Sequence, residues 1–295
     1  MFPAKDFETL RQQLILIRQG DISLDVGKKI LKALIIMIDD PDLVALNNIV
    51  NLAEKTQVSP ASITRLCRLM GFSGFHQFQQ IFKQRAKNRS DYYTKKLQKL
   101  VTNKTQSPQK LLREQAEYSL SNFEYCLNHI SDDSLVKAKE LLARSRRIHV
   151  FGHKQSSATA NILKYGLSLI RYDVHWLQQA EHGAAMAVGQ LRKNDLLVII
   201  SSSPYASLSQ EMASLAEKNQ CKILAITDSE LSPLCDYANL ALIVPTDGLY
   251  YNNSLSATVI LIESLLSLTA IELGESAINK LNNHEITLMR LKDSH

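Results

Sequence analysis

Paired cysteines are missing from this sequence. Its four, Cys67, Cys126, Cys221 and Cys235, are scattered, with no CxxC spacing and no histidine cluster beside them. That argues against a disulfide framework and a structural zinc, and for a reducing, cytoplasmic setting. A secretory leader is not expected, because Lys5 and Asp6 bring charge before any apolar core forms. The longest apolar runs, around Leu34–Ile38 and Leu196–Ile200, fall far short of the roughly 20 residues that span a bilayer, so no membrane association is expected. Internal repeats and low-complexity tracts are absent as well. Nothing calls for a metal or a cofactor.

What is present is an ordinary core-forming composition. The chain has 295 residues, 45% hydrophobic and 21% charged, a length that favours two domains over one. Its net charge of +5 is unevenly spread. Residues 1–105 hold 17 Lys and Arg against 9 Asp and Glu, and residues 106–295 hold 17 against 20. A basic front on a mildly acidic body fits a polyanion-binding head, although a solvated helix surface gives the same asymmetry.

Two periodicities divide the chain. From Phe7 to about Tyr125 apolar residues recur every three or four positions, as in Val26–Ile38 and Leu46–Lys55, which predicts helices. From Arg147 onward, strand-length apolar runs appear at Ile148–Phe151, Val174–Leu177, Leu196–Ile200, Lys222–Ile226 and Leu240–Val244. Helical segments alternate with them at Ser157–Ile170, His182–Leu191, Leu208–Asn219 and Leu255–Leu273. The expected fold is therefore an all-α domain followed by an α/β domain, with five parallel strands covered by helices on both faces. The helical domain is expected over residues 1–100 and the α/β domain over 131–295. Between them, residues 101–130 comprise the polar stretch Thr102–Pro108 and a connecting helix from Gln109 to about Asn128.

Residues 47–70 read as a helix-turn-helix. Asn47–Lys55 makes the first helix, Thr56-Gln57-Val58 the turn, and Ser59-Pro60 a capped start for the second. In that second helix Ile63, Leu66, Cys67 and Met70 share one face. Ala61, Thr64, Arg65 and Arg68 share the opposite one. Small residues near the N-terminus permit close approach to a major groove, and guanidinium groups fork onto guanine or phosphate. Ser59 and Ser62 lie at the helix N-terminus, where a DNA phosphate is favoured. Lys83–Lys99 adds seven basic residues against Asp91.

In the second domain, the first strand ends in Gly152-His153-Lys154-Gln155-Ser156-Ser157 and opens a helix. The third ends in Ser201-Ser202-Ser203-Pro204, with another helix just beyond. Such turns at the carboxyl edge of a parallel sheet are where phosphate binds, although a serine-rich loop is also an ordinary helix cap. A dinucleotide fold is disfavoured, since Gly152 is followed by no second or third glycine.

The run Val58–Phe78, with Gly71-Phe72-Ser73-Gly74-Phe75 directly after the recognition helix, resembles the RpiR family of sugar-responsive regulators. Their second half is a sugar isomerase (SIS) domain, so the resemblance covers nearly the whole chain. It implies that Ser156 takes the first serine position of the SIS pattern and that Ser201 and Ser203 take the later pair. Glu181, His182 and Gly183 fall where such domains carry polar sugar-facing residues. Three positions depart from the pattern. Lys154 and Pro204 replace glycines and Ala206 replaces a threonine, removing one amide donor and one hydroxyl. His153 and Lys154 are placed to compensate, an ammonium being a strong point charge.

The expected function is a non-enzymatic transcriptional regulator. Its partners are a double-stranded DNA operator and a phosphorylated sugar, and it assembles as a homodimer or homotetramer. The alternatives are a SIS domain serving only for dimerisation, or a sugar-phosphate isomerase using Glu181 and His182 as its acid/base pair.

Overall fold

The computed structural model describes residues 3–19, 22, 26–102, 107–177 and 188–291. The chain divides into two compact units, Met1–Lys95 and Lys96–His295.

The first unit is helical: α1 (Phe7–Gln19), α2 (Lys28–Asp39), α3 (Pro41–Leu46), α4 (Ile49–Lys55), α5 (Pro60–Leu69) and the start of α6 (Phe75–Thr102). The helix expected over Leu46–Lys55 is interrupted. Asn48 turns extended and its side-chain oxygen accepts from the Val50 and Asn51 amides at 3.0 and 2.9 Å, so α4 starts afresh there. Asp40 does the same for α3, accepting from the Leu43 amide, with Pro41 in the first helical position. The amphipathic faces of these helices close one core around Leu10, Leu34, Met37, Leu52, Ile63, Leu66, Phe78 and Phe82. Edge-on and tilted ring contacts link Phe7, Phe82, Phe78 and Phe72, at centroid separations of 4.9–5.4 Å.

The second unit begins with the last turns of α6. It continues through α7 (Pro108–His129), α8 (Asp132–Arg144), β1 (Ile148–Gly152), α9 (Ser156–Ile170), β2 (Val174–Trp176), β3 (Leu196–Ile200), α10 (Ser207–Lys218), β4 (Lys222–Thr227), β5 (Leu240–Ile243), α11 (Ser256–Leu273) and α12 (Glu275–Leu291). The five strands are parallel, in the order β2-β1-β3-β4-β5. Because side chains alternate along a strand, the continuous apolar runs serve two cores. Val150, Val198, Ile200, Leu224 and Ile226 face α8, α9 and α11, while Phe151, Leu197, Ile199, Ile223 and Ala225 face α10. This is the α/β architecture that the sequence predicts.

Two helices of this unit were not among the expectations. α8 is capped by Ser131, whose hydroxyl accepts from the Ser134 amide at 3.2 Å, and it contributes Ala138 and Leu142 to the core. α12 is largely polar, with Ala277 buried. The longest apolar segment is neither of the runs named above but α11, long and apolar enough to cross a bilayer by length and composition. Its Ala257, Leu261, Ile262 and Leu265 are built into the core of the sheet. The helix expected over His182–Leu191 falls largely outside the described residues; Val188 and Leu191 pack against Leu197 and Ile199.

Candidate functional site

In the first unit, α4, a four-residue turn and α5 form the helix-turn-helix. The turn is made by local bonds: Thr56 donates its hydroxyl to the Leu52 carbonyl at 2.7 Å, and Gln57 adopts a left-handed φ of 56°. Ser59 caps α5, accepting from the Ser62 amide at 3.1 Å, and its hydroxyl lies 2.9 Å from that of Ser62. Both candidate serines are thus committed to shaping the N-terminus. Ile63, Leu66, Cys67 and Met70 are buried, and burial pushes the Cys67 thiol up to about 12. Ala61, Arg65 and Arg68 are exposed on the other face. Thr64, beside them, returns its hydroxyl to the Pro60 carbonyl at 3.1 Å.

The end of α5 explains the Gly-Phe pair. Gly71 has φ 86°, a left-handed conformation that a side chain strains. Its amide donates to the Arg68 carbonyl and the Phe72 amide to the Cys67 carbonyl, at 3.0 and 2.9 Å. This is the paired C-terminal closure of a Schellman motif, and it delivers Phe72 into the core. Gln79 then ties α6 to the start of the motif. Its buried amide donates to the Val44 and Asn47 carbonyls at 2.9 and 2.7 Å. No sequence period marks Gln79, which sits among exposed glutamines.

In the second unit, the order of strands reverses between β1 and β3, so successive crossovers lead away from each other and leave a crevice at the carboxyl ends. Gly152 ends β1 opposite Ile200 of β3. A Cβ at Gly152 would collide with the Ser156 carbonyl and the Ala160 methyl, so only glycine lets the chain turn tightly into α9. Lys154 takes a left-handed φ of 54° in this turn and is exposed, and His153 is half-buried beside it. Ser157 donates its hydroxyl to the Lys154 carbonyl at 2.6 Å, so it serves the turn itself.

The second loop leaves β3 next to the first. The Ser201 amide donates to the Ile226 carbonyl, and the Ser201 carbonyl accepts from the Thr227 hydroxyl at 2.7 Å. The Ser203 amide donates to Asp228 Oδ2 at 3.1 Å, and the Ser203 carbonyl accepts from the Asn253 amide group at 2.6 Å. Among the described residues, the hydroxyls of Ser156, Ser201, Ser202 and Ser203 form no side-chain hydrogen bond. The backbone of both loops is held by the protein; Ser201 is buried, and Ser156, Ser202 and Ser203 are half-buried. Burial raises the Asp228 carboxyl above its ordinary value, and bonds from the Ser203 amide and the Tyr205 side chain only partly offset this.

Asp228, Gln155 and Asn253 carry no mark along the chain that points to this site, since their links run between loops far apart in sequence. Beside these loops, Gln155, Asn253, Ser254, Leu111 and Tyr251 border a cavity of about 760 Å³. Glu181 and His182 lie outside the described residues, as does Gly183.

Comparison with known proteins separates along the same lines. Residues 26–89 match the helix-turn-helix domain of the rpiR family, and residues 141–268 match the SIS domain. An uncharacterized HTH-type transcriptional regulator of Haemophilus influenzae is 26% identical over 204 residues, covering 69% of this chain and 70% of its own length. HexR of Escherichia coli, an HTH-type transcriptional regulator, is 23% identical over 219 residues, 72% of each chain. The sugar isomerase domain of an RpiR transcription factor from Sphaerobacter thermophilus superposes with a TM-score of 0.56 at 22% identity, covering 59% of this chain and 98% of that one. The NanR protein of Vibrio vulnificus, solved with ManNAc-6P, superposes with a TM-score of 0.55 at 20% identity, covering 94% of this chain and 98% of its own.

Proposed function

The chain belongs to the RpiR family of helix-turn-helix transcriptional regulators, and from that premise we propose that a phosphorylated sugar, held between the β1 and β3 loops, modulates its binding to a DNA operator. One observation carries the reading. The Ser156 loop and the Ser201–Ser203 loop flank the point where the strand order reverses, with backbones tied down and hydroxyls uncommitted. Hydroxyl groups on loops at a helix N-terminus and a strand-end crevice suit a phosphate and the polar edge of a sugar. The sugar phosphate named with the Vibrio vulnificus NanR structure supports the same ligand class.

In this reading residues 1–100 bind DNA through Ala61, Thr64, Arg65 and Arg68, with Ser59 and Ser62 at the phosphate backbone. Residues 131–295 bind the ligand through Gly152, His153, Lys154, Ser156 and Ser201–Ser203, with Glu181 and His182 toward the sugar, and residues 101–130 connect the two. Ser157, expected from the sequence as a contact, shapes the turn instead. The role is non-enzymatic and cytoplasmic. The protein works as a two-fold dimer, since paired half-sites multiply the affinity of single recognition helices. Light scattering that gives a monomer at micromolar concentration, with operator binding intact, excludes the dimer.

The ligand reading is tested by melting the full-length protein with a panel of pentose, hexose and N-acetylhexosamine phosphates. A ligand that binds only the native state raises its apparent stability, by about 2.7 kcal/mol at a hundred times its Kd. No shift with any of them at millimolar concentration leaves the SIS domain a dimerisation module.

A further inference from the structure

The division between the two units falls within α6, at Lys95–Lys96, so the last turns of this helix belong to the second unit. There they meet the loop between β5 and α11. Lys96 Nζ donates to the Asn252 carbonyl at 3.3 Å and to Asn253 Oδ1 at 3.2 Å. Asn253 is only 5% exposed, and it is bound on its other sides to both serine loops. Its side-chain nitrogen donates to the Ser203 carbonyl at 2.6 Å. Its backbone carbonyl accepts from Gln155 Nε2 at 2.8 Å, and its amide donates to Gln155 Oε1 at 3.3 Å. Gln155 immediately precedes Ser156. Asn253 therefore joins the β1 loop, the β3 loop and α6 through one residue's polar atoms.

We propose that Lys96, acting through Asn253, is the positioning residue that couples the ligand site to α6 and so to operator affinity. The proposal rests on the sugar-phosphate reading above. A ligand contacting Ser203 and the β1 loop changes the free energy of the bonds that fix Asn253, and with it the acceptors that hold Lys96. The ammonium is half-buried, and Asp228 and Asp247 lie near enough to act on it electrostatically. Keeping or losing these two acceptors would give the end of α6 two settings for a ligand to bias. Linkage then requires that DNA alter sugar-phosphate affinity by the same factor as the sugar phosphate alters DNA affinity.

The experiment uses the full chain as wild type, Lys96→Met and Lys96→Arg. The probes are the panel of sugar phosphates above and a duplex selected by the wild type from random sequence. Calorimetry gives ligand affinity, and fluorescence anisotropy gives DNA affinity with and without saturating ligand. The wild-type ratio of the two DNA affinities is expected in the range of about 5 to 150. In Lys96→Met it collapses to about twofold or less, while the ligand still binds with an affinity changed by no more than the wild-type ratio and the melting temperature stays close to wild type, and Lys96→Arg restores most of it. A Lys96→Met protein that keeps the wild-type ratio overturns the coupling and leaves the ligand reading standing. A wild type whose DNA affinity ignores a ligand that binds overturns the coupling together with the modulation proposed above, and leaves only the ligand site standing. A loss of ligand affinity in Lys96→Met that exceeds the wild-type ratio makes Lys96 a ligand contact and likewise overturns the coupling. If no sugar phosphate binds the wild type, both readings fall together.

Discussion

Consider removing one hydroxyl at a time from the two loops. Ser157 gives its hydroxyl to the Lys154 carbonyl at 2.6 Å, whereas those of Ser156, Ser201 and Ser203 are uncommitted among the described residues. A hydrogen bond to a charged group is worth about 1.5–3 kcal/mol, and each 1.4 kcal/mol is about tenfold in affinity. Ser203→Ala is therefore expected to weaken sugar-phosphate binding by about 10- to 150-fold, with Ser156→Ala in the same range. Ser157→Ala removes a neutral bond worth about 0.5–1.5 kcal/mol to local stability. It reaches the ligand only indirectly and is expected to change affinity less than about threefold. Isothermal calorimetry on the full chain, at fixed salt, measures all three, with melting temperature as the control for folding. Equal losses in the three variants refute the assignment of hydroxyls by their hydrogen bonds. A Ser157→Ala loss larger than that of Ser203→Ala reverses it.

Arg65→Ala and Arg68→Ala are each expected to weaken operator binding by about 1–3 kcal/mol where the guanidinium forks onto guanine; a gel-shift titration with both unchanged takes α5 out of the groove. Gly71→Ala forces a Cβ onto a residue at φ 86° and is expected to destabilise the helical unit by about 1–2 kcal/mol, read as a lowered calorimetric transition. Asp228 has a raised pKa in the folded chain, so the cost of ionising it is absent below the unfolded carboxylate range and grows as pH rises through the folded value. Stability should therefore fall across that window in the wild type, and Asp228→Asn should flatten the profile. Parallel profiles in the two proteins remove Asp228 from the account.

What was legible in the sequence follows from what has a period. β3 ends at the expected residues, because a doubly covered strand must be apolar at every position. α5 was equally clear, since Ser59-Pro60 announces its start and Gly71 its end. The break at Asn47–Asn48 was hidden by an apolar rhythm that runs on across it, and only the bonds of the Asn48 cap reveal it. α8 has a good cap and periodic leucines, but so short a gap separates it from the longer α7 that the two helical rhythms run together. At the ligand site the serines were visible as strand-end loops. Their supports were not, because Asn253 lies 98 residues from Gln155 and 157 from Lys96. Hydrogen bonds to loop carbonyls constrain a single residue type at a single position and leave no pattern along the chain.

The departures in the second loop and the presence of Asp228 have a common consequence. Pro204 has no amide, Ala206 has no hydroxyl, and the Ser203 amide is given to a carboxylate. A loop built to hold a phosphate by amides would have these donors aimed at the anion. Here the donors left are hydroxyls, which rotate and can accept as well as donate. The nearest acidic group is one that burial already drives toward its neutral form. Such a loop binds a dianion less strongly than an amide nest would, and more of the recognition passes to the sugar and to positive charge supplied from the first loop. Lys154 is the residue placed to supply it, exposed in a turn whose left-handed backbone holds it at the mouth of α9. Lys154→Ala should then weaken phosphorylated sugars while leaving unphosphorylated analogues nearly untouched, and the difference should shrink as salt screens the ammonium. Calorimetry at about 0.05 and 0.5 M salt checks it: a loss that is the same for both kinds of ligand, or that does not shrink at high salt, assigns Lys154 to the turn alone.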